Sequence, residues 1–131
     1  MDSQFERWLP FGDSVTGVAI EGLSEVGDDN FSLLLRSAGD AAELLVLSWP
    51  RRPHAYRNID ESYRLSLWRS FTTGGHAFWI ARDSLWLREF HRDSGGLCEA
   101  RGLIHYAIYT GDDCVDVISS VPPVADRRPA K

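Results

Sequence analysis

The sequence predicts a mainly β protein with some helix (α+β class), built on one strongly bent antiparallel sheet of about five to seven strands. Apolar and polar residues alternate with period two in several short runs, most clearly in residues 63–68, where Tyr63, Leu65 and Leu67 fall on one face. Short turns connect these runs, which favours antiparallel neighbours over helical crossovers. A sheet of this size twists and can curl into a partly open small barrel.

A short N-terminal helix is the first predicted element. Ser3 can cap it, Phe5, Trp8 and Leu9 follow helical spacing, and Pro10 ends it. Strands are then predicted at residues 15–21, 31–36, 43–49, 63–68 and 77–81, and in both arms of a β-hairpin within residues 104–119 that turns at a Gly-Asp-Asp sequence.

A second helix is predicted near residues 84–94, where the apolar spacing changes from two to that of a helix. Asp83 is the expected N-cap, and Trp86, Leu87 and Phe90 share a face. Two glycines follow directly and suit a left-handed C-terminal cap. We expect this helix to pack on one face of the sheet or to fill one end of the barrel.

The length of 131 residues fits one domain. We assign residues 1–121 to a single globular domain and residues 122–131, which begin with Pro122-Pro123, to a polar and flexible C-terminal tail. Apolar residues make up 44% and charged residues 25%, which is typical of globular proteins.

Charge and cysteine content exclude several common classes. The net charge of −5 makes a nucleic-acid partner less expected, although it leaves room for a local basic patch. Cys98 and Cys114 form no Cys-x-x-Cys pair, which argues against a zinc ribbon or a thioredoxin-like motif. Neither a signal peptide nor an apolar run long enough to span a membrane is recognisable. We therefore expect a cytoplasmic protein with reduced thiols and no membrane partner.

The hairpin contains the residue types of a thiol nucleophile. Cys114 and His105, with Asp112, Asp113 or Asp116, could form a Cys-His-Asp group if the hairpin register brings them together. Nothing around Cys114 indicates a helix N-terminus that would activate the thiol, and the residue can equally be a small buried apolar group. We assign no catalytic residue, and a thiol enzyme using Cys114 and His105 stays an alternative.

A metal site is a further alternative. Structural zinc sites present ligand pairs two to four residues apart, and only the spacing from His91 to Asp93 approaches this. A histidine in the last turn of a helix is also favoured by the helix dipole. We therefore predict no metal and no cofactor, although five side chains could in principle converge: His91, Asp93, Cys98, His105 and Cys114.

A Pro-stiffened arginine loop at residues 51–57 provides the main candidates for binding. Arg, Tyr and Trp are typical of interface hot spots, and the same loop could hold phosphate or stack on bases. It could also be a solvated loop balanced by Asp60 and Glu61. The residues assigned to binding are Arg51, Arg52, Tyr56, Arg57, Trp68 and Arg101.

Three segments resemble small uncharacterised bacterial proteins, some of which act as immunity proteins beside secreted toxins. They are Tyr56-Arg57 with Asp60-Glu61-Ser62, Asp83-Ser84-Leu85-Trp86-Leu87, and His105-Tyr106-x-Ile108-x-Thr110 with Asp116-Val117-Ile118. The resemblance would cover about residues 15–120. It implies a protein that binds and neutralises one partner protein.

A short N-terminal helix followed by a bent antiparallel sheet is also similar to the Sm-like small barrels, SH3-like in shape, that bind RNA. Arg101-Gly102 before Leu103-Ile104 is similar to the Arg-Gly of their second motif. The helix at residues 84–94 departs from that family, which has a short variable linker there, and the Asp/Asn pattern of the first motif is not convincing. The resemblance therefore implies an Sm-like shape more than Sm-like RNA binding.

Together these observations predict a non-enzymatic interaction module that binds a protein partner or associates with itself as an oligomer. An Sm-like RNA-binding barrel is the first alternative, and the thiol enzyme is the second.

Overall fold

The computed structural model describes residues 5–12, 15, 17–26, 30–37, 43–60, 76–97, 102–110 and 113–129. The strands in these ranges are β1 (Phe5–Arg7), β2 (Val18–Val26), β3 (Asn30–Ser37), β4 (Glu43–Trp49), β5 (Ala55–Asp60), β6 (Phe78–Ala81), β7 (Ile104–Tyr109), β8 (Asp113–Ser119) and β9 (Val124–Pro129). Helix α1 (Leu85–Asp93) lies between β6 and β7.

The strands form two antiparallel sheets. The first sheet has five strands in the order β1-β6-β7-β8-β5, and the second has four in the order β2-β3-β4-β9. The prediction of a mainly β, antiparallel protein with a helix near residues 84–94 is confirmed. The predicted single sheet of five to seven strands is wrong for the described ranges, because the strands divide between two sheets and form no closed barrel.

The hydrophobic core lies between the two sheets. Period-two alternation turns Leu33 and Leu35 of β3 toward it, and Val115 and Val117 of β8 face it from the first sheet. Aromatic rings join the layers, with 5.7 Å between the ring centroids of Trp49 and Tyr106. The arrangement is a two-layer β-sandwich.

Helix α1 covers the outer face of the first sheet. Leu87 forms a buried apolar cluster there with Leu103 and Ile118, and Trp86 and Phe90 pack against it. This confirms the predicted apolar face of the helix. The N-cap is Ser84 and not Asp83, since the Ser84 hydroxyl oxygen accepts a hydrogen bond from the backbone N–H of Leu87 at 3.1 Å.

The predicted N-terminal helix is not present in the described part of that segment, which forms strand β1. Phe5, Glu6 and Arg7 pair with Ala81, Ile80 and Trp79 of β6 in antiparallel register. So short a helix is marginal in water, whereas the edge of β6 offers hydrogen-bond partners to an extended chain.

Residues 124–129, which lie in the segment predicted to be a polar and flexible tail, form strand β9. They pair with β4 in six register positions, from Glu43 opposite Pro129 to Ser48 opposite Val124. The Arg127 guanidinium fixes this strand further through the Glu43 carboxylate and the Phe11 carbonyl. Pairing with an otherwise exposed edge of β4 outweighs the polar composition of the segment.

Residues 55–60 were not expected to form a strand, and the strand expected at residues 63–68 lies outside the described residues. β5 pairs with β8 in the register Ala55 to Ile118 through Asp60 to Asp113. Tyr56 and Arg57 therefore belong to a strand and not to the predicted loop. In the described ranges, the helix is too short and too polar to cross a membrane.

Candidate functional site

A buried polar network lies on the outer face of the first sheet, beneath α1. Its centre is Asp116 of β8, whose side chain has no solvent exposure. The register places Arg57 of β5 and Ala107 of β7 directly opposite Asp116 on its two neighbouring strands. The small Ala107 side chain leaves room for its neighbours two residues away on β7, His105 and Tyr109, to reach the same carboxylate.

The Asp116 carboxylate accepts hydrogen bonds from the side chains of Arg57, His105 and Tyr109. His105 Nε2 lies 2.6 Å and the Tyr109 hydroxyl 2.8 Å from Oδ1. Arg57 Nε lies 3.2 Å from Oδ2. The buried charge is thus paired with a guanidinium and further satisfied by two hydrogen bonds, as a charge in a sheet interior requires.

The network continues from His105 to the helix. His105 Nδ1 lies 2.7 Å from the Ser84 hydroxyl oxygen, and this oxygen also accepts the Leu87 N–H at the start of α1. Because the ionised carboxylate of Asp116 can only accept, His105 Nε2 carries a proton. In the neutral ring Nδ1 is then the acceptor of the Ser84 hydroxyl proton. The histidine therefore links the helix N-terminus to the centre of the sheet.

Aromatic rings enclose the network. The Phe5 and Trp86 rings approach the His105 ring edge to face, with centroid distances of 5.2 Å and 5.1 Å. The Arg57 guanidinium carbon lies 4.2 Å from the centre of the Trp86 ring, a cation–π arrangement. Arg57 therefore joins β5 to both the carboxylate and the helix.

Ser84, His105 and Asp116 have the residue types of a catalytic triad, but their arrangement differs from one. Ser84 and His105 are each only 1% exposed and Asp116 is 0% exposed, so a substrate has no access to them in this conformation. In a catalytic triad the serine contacts Nε2 and the acid contacts Nδ1, whereas here the two nitrogens are exchanged. The geometry is that of a structural network.

The strand register separates Cys114 from His105. Tyr109 is the residue opposite Cys114 on β7, while His105 lies opposite Ile118. Four residues along a strand correspond to about 13 Å, which is too far for a thiol and an imidazole to exchange a proton. The register that the thiol-enzyme alternative requires is therefore not the one formed.

Two of the residues predicted to bind a partner, Arg52 and Tyr56, contact Glu25 at one end of β2. Arg52 Nε is 2.8 Å from Glu25 Oε2, and the Tyr56 hydroxyl donates to Glu25 Oε1 at 3.3 Å. The Tyr56 ring packs on Phe31 with a centroid distance of 4.6 Å. Arg51 is exposed and belongs to no ion pair among the described residues. We call Arg51, Arg52 and Tyr56 the arginine–tyrosine surface.

Arg57, another predicted binding residue, is not part of that surface. Arg57 follows Tyr56 on β5, so strand alternation turns it to the opposite face of the sheet, where it contacts Asp116. Trp68 and Arg101 lie outside the described residues. The structure therefore brings Arg52 and Tyr56 together, and Arg51 directly precedes Arg52 in the chain.

Within the described ranges, no three His, Cys, Asp or Glu side chains are grouped to hold a metal ion. None of the family models, curated proteins and solved structures compared with this chain matches it. The function is therefore inferred from the geometry alone.

Sequence reasoning missed the joint role of Ser84, Tyr109 and Asp116. The sequence indicates Asp116 only as one of three acids that could accompany Cys114 and His105, whereas the structure places it at the centre of β8. Period-two spacing was the available signal, because residues 105, 107 and 109 share one face of their strand and residues 114, 116 and 118 share one face of the next.

Proposed function

We propose that this chain is a non-enzymatic interaction module that binds a partner protein through the arginine–tyrosine surface. One observation supports this most directly: the Glu25 carboxylate holds both Arg52 and Tyr56 in place. The Arg52 side chain nevertheless stays 55% exposed and Tyr56 stays 37% exposed.

Such fixed but accessible side chains favour binding. Arg and Tyr are enriched among interface hot spots, because they combine a large contact area with hydrogen-bonding capacity. Ordering a long side chain at an interface costs about 0.5–1.5 kcal/mol, and part of this cost is already met when the side chain is held in the free protein. Arg51 adds an exposed charge that can steer an acidic partner toward the surface.

The buried network supports the non-enzymatic part of the proposal. Its hydrogen-bonding groups contact one another, and burial keeps Ser84, His105 and Asp116 from substrate. The adjacent Glu25 carboxylate and the net charge of −5 also weaken the attraction of this surface for RNA, whose binding depends on excess positive charge. A protein partner is therefore favoured over a nucleic acid.

The test starts with chemical cross-linking of the full chain in the cells that produce it, which identifies the partner protein. This partner is then purified without cross-linker and titrated into the chain by calorimetry. Arg51→Ala, Arg52→Ala and Tyr56→Ala should each weaken binding about tenfold or more, the change expected of a hot-spot residue. Arg128→Ala is the matched control, since Arg128 is an exposed arginine on β9 that is paired with Asp126. It should change the affinity less than twofold.

Several outcomes would contradict the proposal. Equal affinities for the surface variants and the control would place the binding surface elsewhere. Binding of single-stranded RNA at low salt that is lost in the Arg51 and Arg52 variants would favour the RNA alternative. Covalent labelling of Ser84 by a phosphonylating probe in the folded protein would indicate a reactive serine and an enzyme.

A further inference from the structure

A shallow cleft of about 500 Å³ runs along α1, on the side of the molecule where the helix covers the first sheet. Its volume is within the range of small-molecule sites. Arg88 and Arg92 are four residues apart on the helix and so lie on one side of it. The described residues that line the cleft are Asp83, Arg88, His91, Arg92, Gly95 and Gly96.

The Asp83 carboxylate and two backbone carbonyls beside this cleft are already engaged. Arg88 contacts both carboxylate oxygens of Asp83, through Nε at 2.8 Å and Nη2 at 3.4 Å. The carbonyls of the last helical turn are capped as well. The Gly95 N–H donates to the Arg92 carbonyl, and the Gly96 N–H donates to the His91 carbonyl. This capping needs the left-handed φ angles of 67° and 74° at the two glycines.

The donors, by contrast, are available. Arg92 is exposed and belongs to no ion pair among the residues that the structure describes. His91 Nδ1 is buried and has no hydrogen-bond partner within those residues. The tautomer that avoids a buried N–H without an acceptor carries its proton on Nε2. His91 lines the cleft, and Nε2–H is then the hydrogen-bond donor of its ring.

We propose that this cleft binds an oxyanion, either a carboxylate or a phosphate group of a small molecule. The unpaired Arg92 guanidinium and the His91 ring N–H are donors, and an oxyanion supplies the acceptors that such groups require. The planar guanidinium of Arg92 can engage two oxygens of such a group at once, and His91 Nε2–H can engage a third. The inference is independent of the arginine–tyrosine surface.

The test is a two-dimensional NMR titration of the full chain at low salt with inorganic phosphate and, separately, with succinate. We expect saturable shifts of the Gly95 and Gly96 amides and of the His91 ring with at least one of them. Tighter binding of phosphate would identify a phosphate-bearing ligand, and tighter binding of succinate would identify a carboxylate. Either result supports the oxyanion site.

Variants separate this site from general screening of surface charge. Arg92→Gln and His91→Phe should each weaken binding roughly fivefold or more, since the first removes the positive charge and the second removes the ring N–H donor. Arg128→Gln should leave it unchanged, and amide spectra of the free variants establish that each one is folded. The proposal is overturned if neither anion saturates, or if Arg128→Gln weakens binding as much as Arg92→Gln does.

Discussion

At Asp116, donors from three strand positions converge on one carboxylate that is shielded from solvent. Its partners Arg57 and His105 in turn contact α1, through the Trp86 ring and the Ser84 hydroxyl. A single side chain thus connects β5, β7 and the helix. Because a buried charge is tolerated only when it is paired, the stability of this face depends on Asp116 keeping its negative charge.

Asp116→Asn should lower the free energy of unfolding by about 3 kcal/mol, the usual cost of breaking a buried ion pair. The amide has only one acceptor oxygen, and its NH₂ group would face a donor from Arg57 or from His105 and Tyr109. Urea unfolding followed by Trp fluorescence measures the change.

The matched control for this prediction is Asp126→Asn. Asp126 also pairs with an arginine, Arg128, but both side chains are largely exposed, so the cost should stay below about 1 kcal/mol. Equal losses for the two variants would show that the Asp116 network does not stabilise the fold.

For individual residues, part of the candidate site could be predicted from the sequence. The hairpin and its alternation place His105 and Tyr109 on one face, and the loop with Arg51, Arg52 and Tyr56 was selected from its composition. The alignment of Asp116 between its neighbours could not be predicted, because it depends on the hairpin register and on the pairing of β5. The link from His105 to Ser84 depends on how the helix packs, which no local pattern encodes.

Among the elements, those with a strong internal pattern were predictable and those stabilised by a neighbour were not. β3, β4, β7 and β8 alternate or are continuously apolar, and α1 carries an apolar face and two terminal glycines. β1, β5 and β9 are short or polar, and their strand conformation comes from hydrogen bonding to β6, β8 and β4. Strand propensity depends on such context more than helix propensity does.

Removal of β9 is the test of this interpretation. A chain ended after Val121 loses all pairing on one side of β4 and should lose at least about 3 kcal/mol of stability, at roughly 1 kcal/mol for each lost hydrogen bond. It should also associate at high concentration, because β4 becomes an exposed, apolar edge. Urea unfolding and light scattering measure the two effects.

A chain that lacks only residues 130–131 retains β9 and serves as the control. Its unfolding free energy should stay within about 0.5 kcal/mol of that of the full chain. If the longer truncation is equally harmless, residues 124–129 contribute no stability to the fold.

In the molecule as a whole, the two faces of the first sheet make different kinds of contact. Its inner face meets the second sheet in the apolar core, while its outer face combines a polar network with the helix that covers it. The arginine–tyrosine surface includes Tyr56, whose ring packs on Phe31 of the core, and the cleft lies along α1. Arg51, Arg52 and Arg92 are exposed, so these three side chains can be changed without disturbing the groups on which folding depends.

Tyr106 reports on the interface between the sheets, because it is 4% exposed and its ring lies 5.1 Å from Trp8 and 5.7 Å from Trp49 between centroids. Burial raises the pKa of Tyr106 above its ordinary value of 10.0, and nearby Arg82 offsets part of this effect. The unfolded chain therefore releases this proton at a lower pH than the folded protein does. Stability should be unaffected well below pH 10 and should fall as the pH rises above it, by at most about 1.4 kcal/mol per pH unit from this group.

Tyr106→Phe retains the ring and removes the ionisable hydroxyl, so it isolates this contribution from those of the other tyrosines. Urea unfolding between pH 8 and 11 should show that the free energy of unfolding falls less steeply with rising pH in the variant than in the original chain. The plots of unfolding free energy against pH for the two proteins should run parallel below about pH 9, where the hydroxyl is neutral in the folded and the unfolded state. Parallel curves over the whole range would mean that water reaches the Tyr106 hydroxyl in the folded state. The two sheets would then not close over it as the sandwich requires.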